Sequence, residues 1–299
     1  MVAEQHEHQR GAVARARAAV SDLVARGVVG VALTFVDNVG VTRVKTVPVD
    51  RLEHAVEWGV GMSPVFEVFL SDDSFTTSTY VGGPDGDLRL VPDLEALTSL
   101  AAQPGWAWAP VDRFEQDGQA YRACQRTFAR RMTQVAAEAG LALSMAFEIE
   151  WALGRESEGR FVPAVTGPAY GMSRLVELSD YGADLLRCLQ AEGVSVEQFH
   201  PEYAAGQLEV SVAPDAPVGA ADRNVLVRQT VRAVSRRHGW QASFSPSVVA
   251  GAVGNGAHVH CSLWRERRNL LAGGTGRYGM TEEGEAFIAG ILAELPALS

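Results

Sequence analysis

The stretch Ser144–Leu153, SMAFEIEWAL, is almost wholly apolar apart from two glutamates set two residues apart. In a strand, side chains alternate between faces, so Phe147, Ile149 and Trp151 share one side while Glu148 and Glu150 share the other. Two carboxylates side by side in so apolar a strand repel each other and resist desolvation. They demand a cation opposite them.

Working outward, two further segments show the same oddity. In Gly206–Val212, GQLEVSV, Glu209 sits between Leu208 and Val210. In Gly256–Trp264, GAHVHCSLW, His258 and His260 alternate with Ala257, Val259 and Cys261. Glu202 lies seven residues before Glu209. Taken singly, each is an ordinary solvated strand face, or a histidine satisfied at the surface or in the core. Taken together, on strands whose other face is apolar, they point to one convergent site. Four carboxylates and a histidine suit Mg2+ or Mn2+ better than Zn2+, and so many anionic ligands imply more than one ion. Two ions flanked by carboxylates fit phosphoryl transfer or metal-assisted hydrolysis.

Composition narrows the setting. The 299 residues are 47% hydrophobic and 21% charged, enough for one large domain or two ordinary ones. The formal net charge of -10 and the absence of a basic stripe argue against a nucleic-acid partner. Lys45 is the only lysine, which excludes any mechanism needing several. Cys124, Cys188 and Cys261 are odd in number, far apart and without a CxxC, and read as reduced thiols. The charged N-terminus lacks an apolar signal region, and no run of about 18 apolar residues marks a membrane span. The expected location is cytoplasmic.

Patterning predicts a helix over 10–27 stopped by Gly27, then a hairpin over 28–49 turning at Asp37-Asn38 and Gly40. Asp50 is expected to cap a short helix. Trp106 and Trp108 mark a strand, and this first unit ends near Gly118. Domain boundaries of 1–118 and 119–299 follow. Further helices are expected over 123–139, 181–192 and 222–238, and from Thr281 to the end. Strands are expected at 144–153, on both sides of Gly206, at 239–248 and at 256–264, with a hairpin at Arg155–Val165. Gly274–Gly279 fits GxGxxG, but a loop leads into it and a terminal helix follows, so it is not a dinucleotide fingerprint. No GxxxxGK[ST] occurs.

At the acidic segments the chain resembles the glutamine synthetase family. Phe147–Trp151 (FEIEW), His200–Val210 (HPEYAAGQLEV) and Gly254–Leu263 (GNGAHVHCSL) match the family's signatures in order and interval. Upstream, Phe35–Pro48 resembles its FxDxxGxxxxxxxP hairpin, and Gly86–Leu97 its DMxLxPD segment. The resemblance spans roughly residues 20 to 295. It implies an α+β chain with an N-terminal β-grasp domain. A catalytic domain follows, an antiparallel sheet with flanking helices. It implies an ATP-dependent ligase joining glutamate to ammonia or an amine through a γ-glutamyl phosphate, in homo-oligomeric rings with active sites between subunits.

The resemblance also implies residue roles. Glu150, Glu202 and Glu209 match ligands of the metal on the glutamate side. Glu148 and His258 match ligands of the metal on the ATP phosphates. His260 and Ser262 match nucleotide contacts, Glu197 and His200 line the nucleotide funnel, and the backbone of Gly254 touches glutamate. Two or more Mg2+ or Mn2+ ions, with ATP as co-substrate, would answer the question posed by Glu148 and Glu150.

Three departures qualify that expectation. Val253 stands where the family places asparagine. The Asp-Gly-Ser-Ser segment that serves ammonium is absent, with Asp72 and Asp73 of Phe69–Ser78 nearby, which predicts an amine as nucleophile. The family's C-terminal NxxKR segment, flap glutamate, phosphate-binding arginines and sixth metal ligand would fall beyond Ser299. Arg265, Arg267, Arg268 and Arg277 are expected on an irregular loop. This last departure raises two alternatives, a metal-dependent hydrolase on a related scaffold and a truncated, non-catalytic homologue that binds metal or nucleotide.

Overall fold

The computed structural model describes residues 2–298. The elements run α1 (Val2–Ala25), β1 (Gly30–Val36), β2 (Thr42–Pro48), α2 (Leu52–Trp58), β3 (Val60–Met62), β4 (Leu88–Pro92), β5 (Thr98–Ser99) and β6 (Trp106–Phe114). They continue with α3 (Gln125–Glu138), β7 (Ala142–Ser157), β8 (Arg160–Pro163), α4 (Met172–Glu177), α5 (Ser179–Ala191), β9 (Val196–Pro201) and β10 (Gln207–Val212). Last come α6 (Pro217–Arg237), β11 (Gln241–Ser243), β12 (Ala257–Arg265), β13 (Arg268–Asn269) and α7 (Glu282–Leu298). The chain is α+β, in two compact units. The first comprises 1–128, 175–195 and 225–242, and the second 129–174, 196–224 and 243–299.

The first unit holds a sheet of order β2-β1-β6-β4-β3, with β5 on β6. β1 pairs antiparallel with β2 and parallel with β6, so the sheet is mixed. The alternation of Val31, Leu33 and Phe35 buries all three, with Leu52 and Ala55 of α2 and Ala16 and Leu23 of α1 in the same core. The turn at Asp37 closes as expected, its carboxylate accepting from the backbone N–H of Val39 and Val41 at 3.1 and 2.9 Å. Asp50 is not a cap. It lies within a 3-10 turn, Val49–Arg51, that runs straight into α2, and neither helix start has a side-chain cap.

The second unit is built on a sheet of order β13-β12-β7-β10-β9, with β8 on β7. The pairings of β12 with β13 and β7, and of β7 with β10 and β8, are antiparallel, as is that of β10 with β9. β7 is central because its apolar face is continuous: Ile149, Trp151 and Leu153 are buried. Burying each such side chain stabilises by roughly 1.5–3 kcal/mol. The Trp151 ring stacks on Phe199 at 6.2 Å and meets Phe244 at 6.5 Å. At the β9–β10 turn, Gly206 has φ 72°, and a Cβ there would lie 2.4 Å from the carbonyl oxygen of Leu153. Glycine is what lets the turn close onto β7.

Several boundaries differ from the sequence reading. α6 begins at Pro217, five residues before Asp222, because proline suits a first helical position. The strand expected over 239–248 shrinks to Gln241–Ser243. Arg265 and Arg268 do not lie on an irregular loop: they pair across a tight β12–β13 hairpin. Thr281 precedes α7 and caps it, its hydroxyl accepting from the Gly284 N–H at 3.1 Å. Gly274–Gly279 folds back on itself, Gly274 N–H donating to the Gly279 carbonyl at 2.8 Å, with no strand leading into a helix.

Candidate metal centre

Strand register positions the acidic side chains, because residues directly opposite across a ladder share a face. Glu150 lies opposite Glu209, Glu148 opposite His258, and Glu209 opposite His200. Four adjacent strands, β12, β7, β10 and β9, thus present one acidic face. Glu202 follows β9 directly.

The contacts fall into two triplets. Ligand atoms of Glu148, Glu209 and His258 lie within 4.8 Å of one another, and so do those of His200, Glu202 and Glu209. Glu209 belongs to both. His258 Nδ1 is 3.0 Å from Glu148 Oε2 and 3.9 Å from Glu150 Oε1. His260 Nε2 is 3.1 Å from Glu148 Oε1, so two histidines bracket that carboxylate. His200 reaches Glu202 Oε1 through Nδ1 at 3.4 Å and Glu209 Oε1 through Nε2 at 3.3 Å.

Glu150 is held from behind. Its Oε2 accepts from Gln207 Nε2 at 2.6 Å and from the Gly256 N–H at 2.8 Å. Its Oε1 is left facing His258. A Cβ at residue 256 would sit 2.3 Å from that oxygen, so the close approach requires glycine. Glu202 accepts from the Tyr170 hydroxyl, whose ring stacks on His200 with centroids 5.0 Å apart.

Electrostatics explains why such a cluster needs cations. Glu150, Glu202 and Glu209 are buried, whereas Glu148, His258 and His260 open to solvent. Burial pushes the Glu209 carboxyl above its ordinary range; the charges of Glu148, Glu202 and Glu150 add to this, and His200 opposes it. Among the described residues, these carboxylates form ion pairs with histidines alone. Nδ1 of His200 is buried without a hydrogen-bond partner despite its approach to Glu202. Carboxylate oxygens with an imidazole are a donor set for Mg2+ or Mn2+, so the residues present fit such ions.

The remaining candidates sit variously. The Ser262 hydroxyl donates to the Ser144 carbonyl at 3.4 Å and accepts from Trp264 Nε1 at 2.8 Å. The Gly254 carbonyl accepts from Gln207 Nε2 at 3.0 Å. Glu197 is exposed on β9 at a register shift, outside both triplets. In the first unit, Asp73 pairs with Arg43 at 2.8 Å, and Asp72 holds the Ser74 hydroxyl at 2.6 Å. Sequence reasoning missed Gln207, Gly256, Tyr170 and Arg174. Gln207 could have been singled out from its place in the GQ pair before Glu209. Tyr170 lies in a loop at φ 55°, where periodicity carries no signal.

An antiparallel sheet with this acidic, histidine-bearing face is a candidate divalent-metal site. The chain belongs to the glutamine synthetase family: the model of "Glutamine synthetase, catalytic domain" matches residues 122–299. It is 59% identical over 292 residues to a gamma-glutamylpolyamine synthetase of Streptomyces coelicolor, covering 97% of this chain and 63% of that protein. It is 28% identical to a glutamine synthetase of Pyrococcus abyssi, covering 90% of this chain and 58% of that one. Among solved structures, a novel glutamine synthase homolog superposes with a TM-score of 0.82 at 32% identity, over 91% of this chain and 64% of that one. A GmaS/ADP complex gives 0.80 at 27% identity, over 92% and 62%. The chain thus spans less than two thirds of the length of these relatives.

Proposed function

We propose that this chain carries the metal site of an ATP-dependent ligase that joins the γ-carboxylate of glutamate to an amine through a γ-glutamyl phosphate. The observation that carries the reading is the pair of acidic triplets sharing Glu209 on one sheet face. Glu148, Glu209 and His258 would hold one ion; Glu202, Glu209 and His200 surround the second position, with Glu150 between them. Bound Mg2+ or Mn2+ would supply charge stabilisation for phosphoryl transfer. The protein's own groups orient that site: Gln207 and Gly256 fix Glu150, and Tyr170 fixes Glu202.

An amine rather than ammonium is the proposed nucleophile. Its support is the absent Asp-Gly-Ser-Ser segment together with the name of the 59% identical relative, a gamma-glutamylpolyamine synthetase. Polyamines are therefore the first substrates to test. The mixed sheet of the first unit supports a β-grasp assignment. The family match beginning at residue 122 supports the sequence division 1–118 and 119–299. Family membership supports ring assembly, and three unpaired cysteines support a cytoplasmic setting. No helix among the described residues is long and apolar enough to cross a membrane.

The test is glutamate-dependent ADP release, compared as kcat/KM for ammonium, monoamines and polyamines in the full protein. A polyamine preference is expected; a clear ammonium preference refutes the amine reading. ATP hydrolysis independent of glutamate would favour the hydrolase alternative.

A further inference from the structure

Arg174 is fully buried on the short helix α4, yet no carboxylate side chain neutralises it at contact distance among the described residues. Its guanidinium meets three main-chain carbonyls. Nη1 donates to Glu202, and Nη2 donates to Ala204 at 2.6 Å and to Gln207 at 2.9 Å. These three residues span the β9–β10 turn, and the same turn carries the metal-facing groups. Glu202 N–H donates to the Gln207 carbonyl at 2.9 Å, Gln207 N–H to the Ala204 carbonyl at 3.0 Å, and Ala204 N–H to Gln207 Oε1 at 2.8 Å. Gln207 then hands its Nε2 to Glu150.

Burial of an unpaired cation is costly. Burial lowers the Arg174 pKa, and the charge of Glu202 opposes that shift. A turn of six residues can be closed without a buried charge, so the arginine's placement points to what the turn carries. The rigid planar fork reaches three carbonyls at once, which the compact point charge of a lysine ammonium does not reproduce. The buried positive charge also acts on Glu202, whose main-chain carbonyl accepts from Nη1.

We propose that Arg174 is a positioning residue of the metal centre. It sets the geometry of the Glu202–Gln207 turn, so that Glu202 faces its triplet and the Gln207 amide holds Glu150. This rests on the metal reading above. Its action is indirect, through the turn backbone, and it touches no metal-facing oxygen.

The experiment is Mn2+ titration of the full chain, followed by electron paramagnetic resonance, in wild type, Arg174→Lys and Arg174→Ala. Thermal melts by circular dichroism run in parallel. Arg174→Lys is expected to melt cooperatively yet bind Mn2+ at least tenfold more weakly, with an altered spectrum of the bound ion. Millimolar guanidinium should restore affinity to Arg174→Ala and leave Arg174→Lys unchanged. Unchanged Mn2+ affinity in folded Arg174→Lys overturns the proposal. So does a loss of Mn2+ binding that merely tracks loss of fold in both variants without guanidinium rescue, which makes Arg174 a stability residue alone. Failure of the wild type to bind Mn2+ is a distinct result: it overturns the metal reading, and this inference with it.

Discussion

The Gln207 side-chain amide donates to Glu150 Oε2 over 2.6 Å, from a residue that is 1% exposed. The same nitrogen donates to the Gly254 carbonyl, so one amide ties β10 to β7 and to the segment before β12. Gln207→Leu keeps the volume and removes both of these bonds, together with the one that Gln207 Oε1 accepts from the Ala204 N–H. Leaving such buried acceptors unpaired costs about 1–3 kcal/mol. Urea denaturation is expected to show that loss, and Mn2+ titration a weaker affinity. An unchanged midpoint would mean that Glu150 has another support.

Glu209 couples stability to pH in a definite direction. Its folded pKa is raised, by burial first. In the metal-free chain its contribution is therefore fully present below the ordinary glutamate range of about 4.3 and is lost as pH rises through the raised value. Glu209→Gln removes the charge that becomes costly. The metal-free variant should thus melt higher than wild type at pH 7.5, with the gap closing toward pH 4. Added Mn2+ should reverse the order at pH 7.5, because wild type gains binding energy and the variant lacks the shared ligand. Melting curves with and without Mn2+ at both pH values check this.

His258 and His260 both contact Glu148, but His258 alone belongs to a triplet. His258→Ala is expected to weaken Mn2+ binding by more than tenfold, and His260→Ala by less than threefold, given that one charged or imidazole contact at an exposed rim contributes about 1 kcal/mol or less. Calorimetric titration separates the two. Equal losses would place both imidazoles on the ion.

In the first unit, Arg113 and Glu67 form a buried ion pair. Burial raises the Glu67 pKa, although Arg113 pulls it down. The guanidinium also lies over Phe35, 4.6 Å from the ring centroid, and donates to the Ala123 carbonyl at 2.6 Å. Arg113→Met strands the carboxylate and should cost about 3–5 kcal/mol. Arg113→Met combined with Glu67→Leu should recover part of that loss in chemical denaturation. No recovery would assign the cost to the ring and carbonyl contacts instead.

Alternation along Phe147–Trp151 alone established that β7 has one apolar and one acidic face, because strand periodicity is a property of consecutive residues. The same local logic exposed Glu209, His258 and His260, and located the turns at Gly27, Asp37 and Gly206. Spacing from Glu209 brought in Glu202, and the resemblance to the family added His200, Glu197, Ser262 and Gly254. Asp50 and the start of α6 were misread because a cap or a helix start depends on backbone geometry a residue or two away, where several polar residues serve equally well.

Which carboxylates meet was a tertiary decision. Glu209 became the shared member because β10 lies between β7 and β9, a strand order that no local pattern specifies. His200 joined Glu202 and Glu209 through cross-strand register, and Tyr170 and Arg174 arrived from a loop and a short helix some thirty residues away in sequence. The sequence determined which residues carry charge on an otherwise apolar sheet, since hydrophobicity and alternation are written locally. The tertiary structure decided their partners, since pairing order, close approach at Gly256 and burial of Arg174 depend on atoms that meet only when the chain closes on itself.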